Sequence, residues 1–206
     1  MPQCLKSVIV SHDKYTGFAQ SLEAKGTLVY YVSESILASI CDSKTPQGIA
    51  AIASLPEHKE MYSGFIVMLD DVQDPQNTGT IIRTADAAGC SCVVLSPDSA
   101  DCYSPKAVRA SMGSIFHIPV IKADIDSYIR RLVSDGYQAA CAHLEGDVSY
   151  TLDWSKTCLV IGNESRGVSP RIKELCTKLI KIPMYGKAQS LNAAVAAGIL
   201  IYKIRT

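Results

Sequence analysis

The sequence predicts an α/β fold, a mostly parallel sheet flanked by helices, and three observations predict it. Short apolar runs such as Phe65–Leu69 and Cys158–Ile161 alternate along the chain with stretches of helical period. Such alternation is the signature of a largely parallel sheet with helices on both faces. Three of the runs, far apart in the chain, each pass into a polar loop and then a helix start.

Taken in order, the first elements are modest. Glu34–Ile40 reads as a short helix, and Pro46-Gln47-Gly48 as a turn leading into Ile49–Ala53. Around Ser54–Ser63 a polar stretch (Glu57, His58, Lys59, Glu60) follows Pro56, which divides the chain into residues 1–58 and 59–206. A region the size of the first is marginal as an independent fold. Beyond the boundary, strands are expected at Phe65–Leu69, Cys92–Leu95, His117–Ile121, Gln138–Ala142, Cys158–Ile161 and Leu179–Ile182. Helices are expected at Thr78–Ala88, Ser104–Met112, Ile125–Ser134, Pro170–Cys176 and Leu191–Lys203. In the last of these, Leu191, Ala194, Val195, Gly198, Ile199 and Tyr202 share one face, with Ser190 placed to cap the start. That face belongs in the core or at a subunit interface.

Composition removes several function classes. A chain of 206 residues, 48% hydrophobic and 19% charged, is globular material rather than disordered. Its apolar runs are far shorter than the roughly 20 residues of a membrane span, and the N-terminus lacks a signal-peptide core, so a cytoplasmic location is expected. The 8 cysteines form no CxxC pair, and Cys92, Cys141 and Cys158 lie inside apolar runs, as reduced core thiols do. The 4 histidines show no HxxxH or HExxH spacing, so no metal site is expected. A net charge of zero argues against a general nucleic-acid coat but not against a local basic patch.

The chemistry-bearing residues lie in the three loops. One runs from Val67 through Asp70, Asp71, Asp74, Asn77 and Gly79 to Arg83; another from Leu159 through Gly162, Asn163 and Glu164 to Gly167; the third from Ile180 through Met184 to Ser190, Leu191 and Asn192. Ligands of open α/β sheets bind outside the carboxyl ends of the strands, so the three loops can converge on one crevice. Each also has a plain reading. Asn77 and Gly79 could cap and enter a helix, Arg83 could pair with Asp86, and Gly162-Asn163-Glu164-Ser165 could be an ordinary turn. Asp70, Asp71 and Asp74 could instead hold Mg²⁺ for phosphoryl transfer, although no phosphate-binding loop accompanies them. Cys141 and His143 alternate on one strand and are more simply core. Between Ser165 and Lys187 six cations (Arg166, Arg171, Lys173, Lys178, Lys181, Lys187) face the single acid Glu174, either a phosphate-binding patch or a solvated face.

The stretches Asp74-Pro75-Gln76-Asn77-Thr78-Gly79 with Arg83, Ile161-Gly162-Asn163-Glu164-Ser165-Arg166-Gly167, and Ile182-Pro183-Met184 followed by Ser190-Leu191-Asn192-Ala193-Ala194-Val195-Ala196 resemble the three signature motifs of the SpoU or TrmH-type RNA ribose 2′-O-methyltransferases of the SPOUT superfamily. The resemblance covers about Ser63 to Thr206, and the motifs occur in the family's order and separation. It implies a deep trefoil knot with S-adenosylmethionine in the knotted crevice, and a homodimer with the last helix at the interface. It implies S-adenosylmethionine-dependent methylation of a ribose 2′-hydroxyl in rRNA or tRNA. Arg83 would activate the hydroxyl, by orientation and electrostatic stabilisation in preference to proton abstraction, because an ordinary arginine stays protonated. Asn77, Glu164, Ser190 and Asn192 would orient Arg83 and the ribose. The backbone around Leu95, Gly162, Ile182, Met184 and Leu191 would hold the cofactor, and Arg166 would meet RNA. Thr45-Pro46-Gln47-Gly48 resembles the end of the small RNA-recognition domain that precedes the catalytic domain in many members; here that region is short, and an incomplete domain is expected. A catalytically idle RNA-binding or assembly module of the same fold is the alternative.

Overall fold

The computed structural model describes residues 4–43, 45–148 and 151–206. The chain forms two compact units, Met1–Glu57 and His58–Thr206.

In the first unit, β1 (Leu5–Val10), α1 (Thr16–Glu23), β2 (Leu28–Tyr31), α2 (Glu34–Ile40) and β3 (Ile49–Ala53) build a three-stranded sheet in the order β2-β1-β3. β1 runs parallel to β2 and antiparallel to β3. Val8, Val10 and Ala19 are its buried centre, with Leu5, Tyr15, Leu22, Val29 and Ile49 packed around them. The Ser33 hydroxyl caps α2 by accepting from the Ile36 N–H, 3.4 Å away. Gly48 has a left-handed φ of +86°, and a Cβ there would lie 2.6 Å from the Cβ of His12, so the turn before β3 requires glycine on two counts. The sequence reading finds α2 and β3 but passes over β1, α1 and β2.

The second unit contains β4 (Ile66–Asp70), α3 (Pro75–Ala88), β5 (Cys92–Leu95), α4 (Pro105–Ser111), β6 (Val120–Lys122), α5 (Ile125–Ser134), β7 (Gln138–Asp147), β8 (Thr157–Gly162), α6 (Pro170–Leu175), β9 (Lys178–Ile180) and α7 (Ala193–Arg205). Its six strands lie in the order β6-β5-β4-β8-β7-β9, every pairing parallel. The central β4 is buried along its whole length. Its Val67 and Leu69 enter one core with α3 and α7, while Ile66 and Met68 enter the other with α5 and α6, the period-2 division of a strand covered on both faces. Cys90, Cys92, Cys141 and Cys158 are buried free thiols, and burial pushes those of Cys92 and Cys158 up to about 12. No helix among the described residues is long and apolar enough to cross a membrane.

Three boundaries differ from expectation for identifiable reasons. α3 starts at Pro75 rather than Thr78, because Asp74 caps it by accepting from Gln76 N–H (2.8 Å) and proline suits the first helical position. α7 starts at Ala193 with Asn192 as its cap, accepting from Ala194 and Val195 N–H at 2.9 and 3.2 Å; Ser190 does not cap it. His117 lies outside β6, which begins at Val120: a 3-10 turn ends at Phe116, and Pro119 has no N–H to offer a ladder.

Candidate active site

Parallel pairing puts the carboxyl ends of β4, β5 and β8 side by side, with Leu69 opposite Leu95 and Asp70 opposite Gly162. The loops that leave β4 and β8 are tied together by side chains. Glu164 is the hub: its carboxylate accepts from the N–H groups of Gln73 and Asp74 (3.1 Å each) and from Nδ2 of Asn77 (2.9 Å). Asn77, buried in the first turn of α3, passes the connection on, since its Oδ1 accepts from Nδ2 of Asn192 at 2.9 Å. Asn192 at the same time caps α7 through Oδ1. Three loops spread over 115 residues of chain, from Asn77 to Asn192, are thus locked by one chain of hydrogen bonds, Glu164–Asn77–Asn192. Each amide presents its donor and its acceptor to the partner that needs it.

A second set of contacts fixes the backbone beneath the hub. Asp71 has a left-handed φ of +60°, held by four partners, Gln73 Nε2 among them as a donor to the carboxylate. Its N–H donates to Ser96 Oγ (3.0 Å), its carbonyl accepts from Asn163 Nδ2 (2.9 Å), and its carboxylate pairs with Arg166. Asn163 Oδ1 also accepts from the N–H groups of Ser165 and Arg166, closing the β8 loop as an Asx-turn. Asn163 is a positioning residue that the sequence reading leaves out of the site, and the Asn-x-Ser spacing of that turn was its visible signal.

The other expected site residues divide clearly. Leu95 is buried, and Ile182 packs against the same core cluster. Met184 (36%) and Leu191 (37%) are exposed on the loop from Ile182 to Asn192. Gly162 is buried, but its lack of a Cβ serves the protein's own backbone: a Cβ would lie 2.1 Å from Gly167 C and Val168 N. Arg83 is exposed between buried Ile82 and Ala85, and among the described residues it has no hydrogen-bonding or ionic partner. Asp86, its suggested partner, instead meets His117 Nδ1 at 3.2 Å. Ser190 likewise has no partner among the described residues, so neither it nor Arg83 is joined to the Glu164 hub within one chain. Arg166 is bound to Asp71, Arg171 to Asp126 and Asp124, and Lys173 to Glu145; half of the expected basic patch is neutralised by acids from other elements. The three aspartates are separately engaged as well: Asp70 accepts from Ser169 N–H (2.7 Å), Asp71 pairs with Arg166, and Asp74 caps α3.

Burial works to raise the Glu164 carboxyl, but the hydrogen bonds from Asn77, Gln73 and Asp74 outweigh it and hold the group below its ordinary value of 4.5. A carboxyl lowered in the folded state adds stability above its unfolded value, and that stability is lost as pH falls through the lowered one. Glu164→Gln also turns an amide toward N–H donors. The variant is therefore expected to melt below the wild type at neutral pH, with the gap closing as pH drops below 4.5. Thermal unfolding across pH checks this, and a gap independent of pH would show that the carboxylate charge is not what the loops read.

Comparison with known proteins fits this geometry. The profile of the SpoU rRNA Methylase family matches residues 64–202. The chain belongs to that family. A second profile, described as RNA 2′-O ribose methyltransferase substrate binding, matches residues 2–59, so the likeness extends through the N-terminal unit. The 23S rRNA (guanosine(2553)-2′-O)-methyltransferase RlmP of Bacillus subtilis is 38% identical over 206 residues, spanning 99% of this chain and 82% of its own. Among solved structures, the AdoMet-bound rRNA methyltransferase from Sinorhizobium meliloti superposes with a TM-score of 0.83 at 34% identity, covering 98% of this chain and 79% of that one. The SpoU methyltransferase AviRb from Streptomyces viridochromogenes, in complex with AdoMet, gives 0.84 at 27% identity over 98% and 82%. This SpoU family chain is an S-adenosylmethionine-dependent RNA ribose 2′-O-methyltransferase.

The residues present suit that cofactor. Among the described residues, the backbone from Ile182 to Leu191 makes no hydrogen bond to the rest of the chain, leaving donors and acceptors for the polar edges of a nucleoside. On this loop Met184 and Leu191 expose apolar side chains, whereas Leu95 is buried.

Proposed function

We propose that this chain methylates a ribose of ribosomal RNA, with 23S rRNA the first RNA to examine. The observation that carries the reading is the Glu164–Asn77–Asn192 lock, which joins the three motif loops at the carboxyl ends of the parallel strands. The RlmP likeness spans both units, which favours ribosomal over transfer RNA.

S-adenosylmethionine, when bound, supplies an electrophilic methyl group, so the protein's task is to align the ribose oxygen and ease loss of its proton. The loop from Ile182 to Leu191, with Leu95, would hold the cofactor. Glu164, Asn77 and Asn192 act as positioning residues, fixing the loops in one relative geometry. Arg83, an exposed cation without a partner among the described residues, is suited to orient the hydroxyl and a neighbouring phosphate and to stabilise charge on the oxygen. Ser190, exposed on the cofactor loop, and Arg166, exposed beside Asp71, would meet the RNA.

A C2 homodimer completes the reading. Val195, Ile199 and Tyr202 on α7, with Leu191 just before it, form an exposed apolar stripe, 51%, 41%, 47% and 37% exposed, while Ala194, Ala197 and Ile201 face inward. Gly198, next to the stripe, sits against Thr84: a Cβ on it would lie 3.7 Å from the Thr84 methyl. Arg83, next to Thr84 in the chain, thus lies on the helix that packs against α7, which suits a site completed by the second copy. Ile199→Asp is expected to leave the fold intact and yield monomers in light scattering; an unchanged particle size would remove this face from the interface. The knot belongs to the same proposal. The chain leaves β9 at the edge of the sheet and returns, after Ile182–Asn192, to pack α7 against α3 near the centre, the crossing that a trefoil requires.

The deciding measurement maps ribose methylation in rRNA and tRNA of the source cell with and without the gene. Loss of one 23S rRNA methylation is expected. Loss confined to tRNA would overturn the choice of RNA, and no loss in either would overturn the activity.

A further inference from the structure

We propose that the N-terminal unit holds one unpaired nucleobase of the RNA in a cavity at the carboxyl ends of β1 and β2; the proposal rests on the ribose methyltransferase reading above. Where these two parallel strands end, the loops that enter α1 and α2 line an open cavity of about 400 Å³, a size that admits a nucleoside-sized ligand. Its wall includes Ser11, His12, Asp13, Tyr31, Ser33 and Ile36.

The chemistry of that wall selects a base over a phosphate. Tyr31 (52%) and Ile36 (51%) are exposed apolar surface at the cavity, where sheet and helix residues of a small unit would ordinarily be covered. An aromatic ring beside such a hollow is what an unstacked base needs. His12 Nδ1 accepts the Lys14 N–H at 3.2 Å, so the neutral imidazole carries its hydrogen on Nε2, a donor. Asp13 has no partner for its carboxylate among the described residues, and a carboxylate accepts only. It repels a phosphate and invites an N–H. The buried Ser11 hydroxyl likewise has no partner among the described residues, so the wall holds hydrogen-bonding capacity that the free protein leaves unused. A donor beside an acceptor can meet the N–H and carbonyl that adjoin on guanine and uracil, or the amino group and ring nitrogen that adjoin on adenine and cytosine. A phosphate offers acceptors alone.

The test uses the full chain and fluorescence anisotropy with short abasic ribose-phosphate oligomers that carry no base, or one central guanine, uracil, adenine or cytosine. At least one base-bearing oligomer is expected to bind at least about tenfold tighter than the baseless one, and Asp13→Asn to bring all five to within about twofold. Whichever oligomer binds tightest names the base. Tyr31→Ala should weaken every base-bearing oligomer, while leaving S-adenosylmethionine binding, measured by calorimetry on the same preparations, unchanged. Equal binding of the five oligomers by the wild type, or a preference kept in Asp13→Asn, overturns the cavity proposal. If rRNA methylation persists in those preparations, the proposed function stands without it. Absence of both cofactor binding and methyl transfer would overturn the proposed function, and the cavity with it.

Discussion

Arg83→Ala is expected to cut the single-turnover rate of methyl transfer by at least about 10², the low end for a positioned catalytic group. Folding and S-adenosylmethionine affinity should stay close to those of the wild type. The reason lies in its surroundings. Ile82 and Ala85 are buried on either side, whereas Arg83 is exposed and has no ionic partner among the described residues. Truncation therefore removes no buried contact and leaves no orphaned charge. Asp86 is already occupied by His117, so the simple surface pair that could have explained an arginine at this position does not form. Arg83→Lys should rescue little, because an ammonium cannot reproduce the planar fork that holds a phosphate and a hydroxyl together. Turnover at wild-type speed in Arg83→Ala, measured with the methylated RNA, would remove this residue from the mechanism.

How far the fold could be read from sequence depended on burial. β4, β5 and β8 are buried on both faces, so their residues are apolar almost without interruption and their limits are visible to within a residue. β1 and β2 were passed over for the opposite reason: Lys6 and Ser7 interrupt one, and the other is four residues long with three of them exposed. In a unit whose buried centre is Val8, Val10 and Ala19, no face is apolar enough to announce a period. The helix starts were misplaced because the capping residues lie inside the functional motifs. Asp74 and Asn192 were read for their chemistry, and each also caps a helix.

The site was legible as residue types, not as connections. Asn77, Glu164 and Asn192 stand far apart in the chain, and nothing in their spacing shows that one carboxylate oxygen would take both a backbone and a side-chain N–H. The basic patch failed on the same ground. A local count of cations cannot see that Asp71, Asp126 and Glu145 arrive from other elements to pair with Arg166, Arg171 and Lys173. Such exposed pairs add little stability, but they remove the cations from an unopposed field.

Gly162→Val is expected to abolish cofactor binding, and the structure changes the reason. The resemblance counts Gly162 among the backbone positions that hold the cofactor, where a side chain would take the cofactor's space. In the folded chain a Cβ at 162 would lie 2.1 Å from Gly167 C and Val168 N, and 2.4 Å from Gly167 O. These are backbone atoms that cannot swing aside. They belong to a tight loop in which Asn163 N–H donates to Gly167 O (3.0 Å) and Gly167 N–H to Asn163 O (2.9 Å). The loop must open to admit a side chain, and with it goes Glu164, which holds Gln73, Asp74 and Asn77. Overpacking of this kind costs about 1–3 kcal/mol, before the lost hydrogen bonds are counted. Gly162→Ala separates the two explanations. A clash within the loop lowers the melting temperature of the cofactor-free protein even for alanine, and the affinity falls with it. A glycine that only makes room for the cofactor would leave that melting temperature untouched while calorimetry recorded weaker binding, and that result would return Gly162 to the cofactor.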